Sequence, residues 1–284
     1  MMNIKCNNTR ALVAKIVIYT VLIVSAITTI FPYFWMVLAS LKTGIEISTY
    51  PEQIFPKNPS LSAYTRAFKE LDLITGIKNT LTLEVFAVIF PPFVSALGAF
   101  AFAKLELPFK RVLLLVLLSS MMIPYAALML PQFQVWQSFN LVGTLYPLII
   151  PSFFGGALMT FFFIQYMQGV PSELFEAAKI DGAGYLKQFI SIMIPMVKPA
   201  LTAQIVFSFV GTWNDYFIPS IYLSVKEVKT LQLQLLSLQQ QQNNLIDMNM
   251  IMAGSVLSSI PMLVVFISCQ KFFVESLAIS GIKG

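Results

Sequence analysis

The chain is 284 residues long, with 57% hydrophobic and 11% charged residues, a mean hydropathy of +0.77 and a formal net charge of +5. So few polar residues cannot cover the surface of a water-soluble globule of this length, and we therefore expect an integral membrane protein. There is no histidine and there are two cysteines, which excludes histidine-based catalysis and argues against a disulfide framework or a metal site.

Six apolar stretches are long enough to cross a hydrocarbon core of about 30 Å as helices. They cover residues 16–39, 80–103, 112–130, 145–166, 200–223 and 250–269. A transmembrane β-barrel would show short alternating segments, so the pattern predicts an all-α membrane protein with six transmembrane helices. The first stretch is too long for a cleavable signal peptide and is interpreted as a retained anchor. We therefore predict a tail over 1–15, a transmembrane domain over 16–270 and a second tail over 271–284.

The basic residues predict the orientation of these spans, because lysine and arginine accumulate on the cytoplasmic side of a membrane. With the N-terminus inside, that side holds 11 of the 18 basic residues. The eleven are Lys5, Arg10, Lys15, Lys104, Lys110, Arg111, Lys179, Lys187, Lys198, Lys271 and Lys283. We therefore expect both termini in the cytoplasm, an N-in, C-in topology.

The loops between spans carry three further expectations. The outer loop over 41–78 contains a predicted amphipathic helix that begins after Ser60. The apolar face of that helix is predicted from Leu61, Tyr64, Phe68 and Leu71. A polar stretch over 131–143 is expected to separate the third and fourth spans, because it is too polar for lipid. The loop over 224–249 is rich in glutamine, and we expect it to be mobile.

One polar segment, ELFEAAKIDGAG over 173–184, interrupts the apolar chain. Ser172 is a predicted N-cap, and the acidic residues that follow it suit the first turn of a helix. Gly182 suits the end of that helix, since glycine accepts the left-handed conformation of a C-terminal cap. A second helix is expected over 183–194. The segment is therefore predicted to be a cytoplasmic helix–turn–helix.

Small residues in this segment let another backbone come close, and its acidic side chains can accept charge-assisted hydrogen bonds. Such a surface suits a cleft on a soluble partner, while an ordinary capped connector would have the same caps. The candidate site residues are Glu176, Ala177, Ala178, Asp181, Gly182, Ala183 and Pro195.

The spacing within this segment resembles the EAA signature of the membrane subunits of binding-protein-dependent ABC importers. That signature is EAA, three residues, Gly, nine residues, Ile, any residue, Leu and Pro, and the chain matches it with Ile194 in place of the leucine. The stretches FPYFWMVLASLKT, WNDYFIPSIYL and FFVESLAISGIKG are similar to those of maltose-type sugar permeases, specifically the smaller six-span subunit. The tail departs from the family where Glu275-Ser276 and Ile279-Ser280 stand.

The resemblance implies a coupling helix between spans 4 and 5, within a loop over 167–198, that docks on an ATPase subunit. It also implies three partners, namely a larger homologous permease, an ABC ATPase dimer and an extracellular or periplasmic sugar-binding protein. The chain has no phosphate-binding Gly-x-x-x-x-Gly-Lys-Ser/Thr motif, so ATP would be hydrolysed by the partner and no cofactor is expected here. The resemblance places the protein in the bacterial cell membrane, within the lipid bilayer, with no nucleic-acid partner.

Other functions remain as alternatives at this stage. A secondary transporter would need ionisable groups near the midplane, and only Glu84 and Asp215 lie in the predicted spans. Glu84 is interpreted as lying about one turn from the outer end of its span. For Asp215, hydrogen-bonded packing between helices is favoured over a position on the lining of a pore. An intramembrane enzyme would need a catalytic site such as a carboxylate pair or a metal centre, and the sequence offers neither. Trp213 and Asn214 could line a sugar path, but helix packing is the simpler role, and no substrate-binding residue is assigned. The sequence leaves the sugar open, and a glycerol phosphate or polyol importer is the alternative within the family.

Overall fold

The structure is a computed structural model, which describes residues 4–70, 72–223, 228–240 and 248–281. No strand occurs in this described part of the chain, and the α-helices follow one another from α1 to α15. They are α1 Ile4–Ser40, α2 Gly44–Thr49, α3 Ser62–Glu70, α4 Leu73–Lys104, α5 Lys110–Ser120, α6 Tyr125–Ser138, α7 Tyr146–Ile149, α8 Ala157–Gln168, α9 Glu173–Ile180, α10 Tyr185–Gln188, α11 Ile194–Met196, α12 Lys198–Asn214, α13 Phe217–Tyr222, α14 Leu231–Gln240 and α15 Met248–Gly281. The all-α prediction is confirmed.

Four of the described helices are long and apolar enough to cross a membrane. Their spans are Ala11–Ser40, Leu73–Lys104, Tyr146–Gln168 and Met248–Gln270. Two bent pairs, Lys110–Ser120 with Tyr125–Ser138 at 90° and Tyr185–Met196 with Lys198–Asn214 at 83°, raise the number to six if each pair is one span. Each of the six predicted stretches overlaps one of these helices or pairs, and the 90° bend falls within the stretch 112–130 while the 83° bend falls just before the stretch 200–223.

The chain divides into two compact units. The first comprises residues 1–71 and 238–257. In this unit, the most apolar part of α1 has no buried residue. The predicted helix after Ser60 is confirmed as α3. Its buried residues are Ala63 and Ala67, whereas Leu61 and Phe68 are exposed, so the predicted apolar face was wrong there. Leu71 lies outside the described residues.

The second unit comprises residues 72–237 and 258–284, and α4 packs in it against both α8 and α12. Close approach of α4 to the start of α8 depends on small residues. The Ser95 hydroxyl accepts a hydrogen bond from the N–H of Gly156 at 3.0 Å. A Cβ at Gly155 would come within 2.7 Å of the Ser95 hydroxyl and 3.0 Å of its backbone nitrogen, so glycine is required at this crossing.

The structure refines one loop prediction and contradicts another. Residues 131–138 are helical and belong to α6, which begins after a break at residues 121–124, so the expectation that 131–143 separates the third and fourth spans stays a prediction. Glutamine is a good helix former, and a helix of this composition need not be buried in lipid. Residues 231–240 form α14 instead of a mobile loop, while residues 224–227 and 241–247 of the predicted loop lie outside the described part.

Candidate functional site

The polar segment forms α9 and a tight turn. At the C-terminal end of α9, the N–H of Ala183 donates to the carbonyl of Ala178 at 2.8 Å, and the N–H of Gly182 donates to that of Lys179 at 3.1 Å. This pair of bonds is the Schellman motif, which satisfies carbonyls that the helix itself leaves free. Gly182 has a φ of +78°, and an L-residue with a Cβ is disfavoured in that conformation. The predicted role of Gly182 as a helix terminator is confirmed.

Ser172 stands at the N-cap position of α9, as predicted, but its hydroxyl does not cap the helix. Instead, its carbonyl accepts from the N–H of Phe175 at 3.0 Å and of Glu176 at 3.2 Å. The Ser172 hydroxyl is contacted by the Lys104 ammonium at 3.4 Å, and Lys104 also donates to the carbonyl of Val170. A cation from the end of α4 therefore holds the chain as it enters α9.

Phe175 anchors α9 to the second unit. Its side chain is only 6% exposed and packs with Phe100 of α4 at a ring-centroid distance of 5.7 Å. Phe100 also packs with Phe189, 5.6 Å away, just after α10. The Lys104 ammonium lies 5.6 Å from the centre of the Phe175 ring, within the range of a cation–π contact. One buried aromatic cluster thus joins α4, α9 and the segment that follows α10.

The second predicted helix begins two residues later than expected, as α10, and continues as a π-helix over Phe189–Met193 and then as α11. Gln188 is 3% exposed, and its side-chain amide donates to the carbonyl of Ala183 at 2.7 Å. That bond closes the turn from its far side. Pro195 follows the π-helix, and its missing N–H removes one backbone bond from the preceding turn, which accounts for the irregular winding.

The predicted site residues from 176 to 183 share one helix and its turn, whereas Pro195 lies at the entry to α12. Glu176, Ala177, Asp181 and Gly182 are exposed. Large apolar side chains beside them are exposed as well, with Ile180 at 87% and Leu186 at 63%. The sequence identifies Ile180 as an apolar residue of the helix, but its exposure and that of Leu186 were not predicted. Exposed apolar side chains among acidic ones are typical of a surface that docks on a protein.

A separate cavity of about 500 Å³ lies in the second unit and is lined by residues of α4, α6, α7, α12 and α13 and of the 3₁₀ turn after α7. Its polar lining includes Tyr125, Gln132, Ser208, Thr212 and Asp215. The volume falls within the range of about 300–1,000 Å³ found for small-molecule sites, which are mostly apolar with a few polar groups.

The structure assigns different roles to the polar residues near this cavity. Trp213 is 1% exposed and donates from Nε1 to the carbonyl of Ser258 at 2.9 Å, so it packs between helices. Asn214 is exposed and bonds within its own helix. Asp215 follows α12, accepts hydrogen bonds from the start of α13 and also lines the cavity, so it has both the packing role that was favoured and a place on the lining. Its place in the break between α12 and α13 was not visible from hydropathy, because the apolar run continues to residue 223.

Glu84 is 4% exposed, and neither carboxylate oxygen has a hydrogen-bond partner among the described residues. The helix around it begins at Leu73, which places Glu84 about three turns inside α4. The helix therefore begins seven residues before the predicted start of the span at residue 80, and the position of Glu84 about one turn inside that span stays a prediction. Its side chain faces the packed interior of the unit rather than an outer vestibule.

The family model described as "Binding-protein-dependent transport system inner membrane component" matches residues 92–278. The chain is 31% identical over 258 residues to the arabinooligosaccharides transport system permease protein of Bacillus subtilis, covering 90% of this chain and 91% of the relative. It is 29% identical over 266 residues to the lactose transport system permease protein of Rhizobium radiobacter, covering 92% of this chain and 94% of the relative.

A solved structure shares this fold over almost the whole length. It is a crystal structure of a bacterial ABC transporter involved in the import of the acidic polysaccharide alginate. The two chains superpose with a TM-score of 0.79 and 25% sequence identity, and the match covers 92% of this chain and 96% of the other.

Proposed function

The chain belongs to the binding-protein-dependent transport system inner membrane components, and we propose that it is the smaller, six-span permease of an ATP-driven carbohydrate importer. As a member of that family, it is a multi-pass inner-membrane transport component rather than a catalytic enzyme. The relatives that carry arabinooligosaccharides and lactose favour a carbohydrate over glycerol phosphate or another polyol. The proposed partners are a larger homologous permease, an ABC ATPase pair and a sugar-binding protein outside the cell.

The observation that carries the coupling proposal is the exposed end of α9. An eight-residue helix is too short to be stable alone in water, and here it is held by a buried phenylalanine, a lysine contact and a glycine turn. The same helix presents Glu176 and Asp181, with Ile180 almost fully exposed between them. A fixed helix with an unburied acidic and apolar end fits a groove on the ATPase, where the charges would find donors.

The proposed topology places both termini and the loop over 167–198 in the cytoplasm. In this proposal α12 alone crosses the membrane in the second bent pair, with α10 and α11 outside it, and six spans then return the chain to the side where it began. The basic residues around α9, α10 and the end of α4 then lie on the cytoplasmic side. We retain the domain bounds 1–15, 16–270 and 271–284 for the two tails and the permease domain.

The test of coupling uses variants that leave the buried cluster intact. Gly182→Asp adds a charged side chain where φ is positive and the turn is exposed, and Glu176→Lys reverses a charge on the proposed docking surface. Both should reduce pull-down of the ATPase and sugar uptake together, at unchanged permease levels. Glu106→Lys is the matched control, since it makes the same charge change at an exposed site outside α9. Full ATPase association and uptake in Gly182→Asp would make this segment an ordinary connector.

A further inference from the structure

We propose that the cavity within this chain is a binding subsite for a neutral oligosaccharide, and that Asp215 disfavours anionic sugars there. The inference rests on the proposed function and deepens it, because it assigns the subunit its own contacts with the cargo. The cavity is bounded by Tyr125, Gln132, Ser208, Thr212, Asp215 and Tyr222, among other residues. Those groups come from α6, α12 and α13, so the site exists only in the folded unit.

The walls of the cavity match the two faces of a sugar ring. Tyr222 is 2% exposed and stacks on Phe133 at a centroid distance of 6.2 Å, so it is a fixed part of the wall, while the half-buried Tyr125 supplies the accessible aromatic surface. Aromatic and apolar walls suit the C–H faces of pyranose or furanose rings, while the rest of the lining supplies hydrogen-bonding groups. Gln132 offers an amide, and Ser208 and Thr212 offer hydroxyls that can both donate and accept. Sugar hydroxyls need that mixture of donors and acceptors.

Asp215 is held in place rather than free to turn away. Its Oδ1 atom accepts hydrogen bonds from the N–H of Phe217 at 2.9 Å and of Ile218 at 3.2 Å. With Oδ1 engaged on α13, Oδ2 is left to accept from a sugar hydroxyl. A carboxylate accepts such bonds strongly, and it repels another carboxylate or a phosphate at the same distance.

The charge of the lining favours a neutral ligand. Asp215 is the only carboxylic acid among the described lining residues, and none of them is a lysine or an arginine. Uronates and sugar phosphates are usually bound through bidentate or ammonium contacts from such cations. The cavity therefore offers them one repulsive group and no attractive one. A neutral pentose or hexose oligomer meets no such penalty.

The experiment measures protection of an engineered cysteine in the complete transporter, purified through a tag on this chain. Cys6→Ser and Cys269→Ser remove the natural thiols, Ser208→Cys places a thiol in the cavity, and maleimide labelling of that peptide is followed by mass spectrometry. The neutral probes are arabinotriose, lactose and raffinose, and the acidic probe is trigalacturonate. Labelling is measured with and without a non-hydrolysable ATP analogue, so that both nucleotide states are sampled.

At ten times its dissociation constant, a transported neutral probe should slow labelling of Ser208→Cys by about tenfold. Ser220→Cys is the matched control, because this exposed serine of α13 does not line the cavity, and its labelling should not change. Trigalacturonate should protect far less, and adding Asp215→Asn should reduce the difference between the neutral and acidic probes. The asparagine keeps an Oδ1 acceptor for α13, so the fold is expected to hold.

Three outcomes distinguish the subsite, the role of Asp215 and the proposed function from one another. If the wild-type transporter takes up a neutral probe but that probe does not protect Ser208→Cys in either nucleotide state, the subsite is refuted while carbohydrate import stands. If protection occurs but Asp215→Asn leaves the preference for neutral sugars unchanged, the role of Asp215 is refuted. If the complete transporter takes up none of the carbohydrates, the proposed function fails, and the subsite fails with it.

Discussion

Replacement of Phe175 by alanine should detach α9 from the body of the protein. The side chain is 6% exposed, and removing a buried phenylalanine costs about 3–5 kcal/mol. Each 1.4 kcal/mol is a tenfold change in an equilibrium, so a loss of about 3 kcal/mol raises the detached population of α9 more than about a hundredfold. An isolated helix of eight residues has little stability of its own to oppose that change.

The assay for Phe175→Ala is hydrogen exchange of the α9 amides in the permease before the ATPase is added, followed by uptake in the assembled transporter. Leu174→Ala is the matched control, since the neighbouring side chain is 43% exposed and its loss should leave exchange almost unchanged. We expect fast exchange over residues 173–183 and loss of uptake in Phe175→Ala at normal protein levels. Unchanged exchange in Phe175→Ala, or equal acceleration in both variants, would refute the anchoring argument.

Two further predictions concern contacts in the second unit, and a third concerns the membrane topology. Lys104→Met should weaken ATPase association several-fold, because it removes the bonds to the chain entering α9; pull-down should show no such loss for the exposed Lys110→Met. Gly155→Ala should lower the free energy of unfolding of the purified permease by about 1–3 kcal/mol, because the added methyl group overpacks the helix crossing. Gly98→Ala should leave it unchanged, since a Cβ there would have an ordinary contact at 3.8 Å. Lys187→Cys should react with an impermeant maleimide in inverted vesicles, and labelling from outside intact cells would overturn the topology.

Helix-capping preferences, which depend on residues adjacent in the sequence, predicted only part of the candidate site. The end of α9 could be predicted because glycine readily takes the positive φ at which many helices end, and Gly182 has such a φ. Ser172 follows the same kind of rule, yet its hydroxyl is engaged by Lys104, 68 positions away in the sequence. A competing partner so distant along the chain cannot be inferred from local pattern, so the position of the N-cap was predicted but the partner of its hydroxyl was not.

Hydropathy located every apolar span but not the breaks within them. Both the bend at residues 121–124 and the end of α12 at Asn214 lie inside or beside runs that read as continuous apolar helices. The signals were present as Pro124 and as the polar pair before Tyr216, but a proline or a polar pair within a membrane helix is also compatible with an unbroken span. The cavity depends on those breaks, because α6 and α13, which follow them, both contribute to its lining. Its lining could therefore not be predicted before the bends were known.

The two candidate sites differ in how they are held, and the difference fits their proposed tasks. A coupling element must transmit force, and α9 is tied to α4 by Phe175 and Lys104 and to the following segment by Gln188. A cargo subsite must release its ligand, so it needs several moderate contacts rather than one strong one. The cavity supplies hydroxyls, an amide and one carboxylate on the ends of broken helices, where a change in helix angle would separate them. Because α4 contributes to both the aromatic anchor and the cavity wall, it is the helix through which the proposed displacement of α9 would act on the proposed cargo subsite.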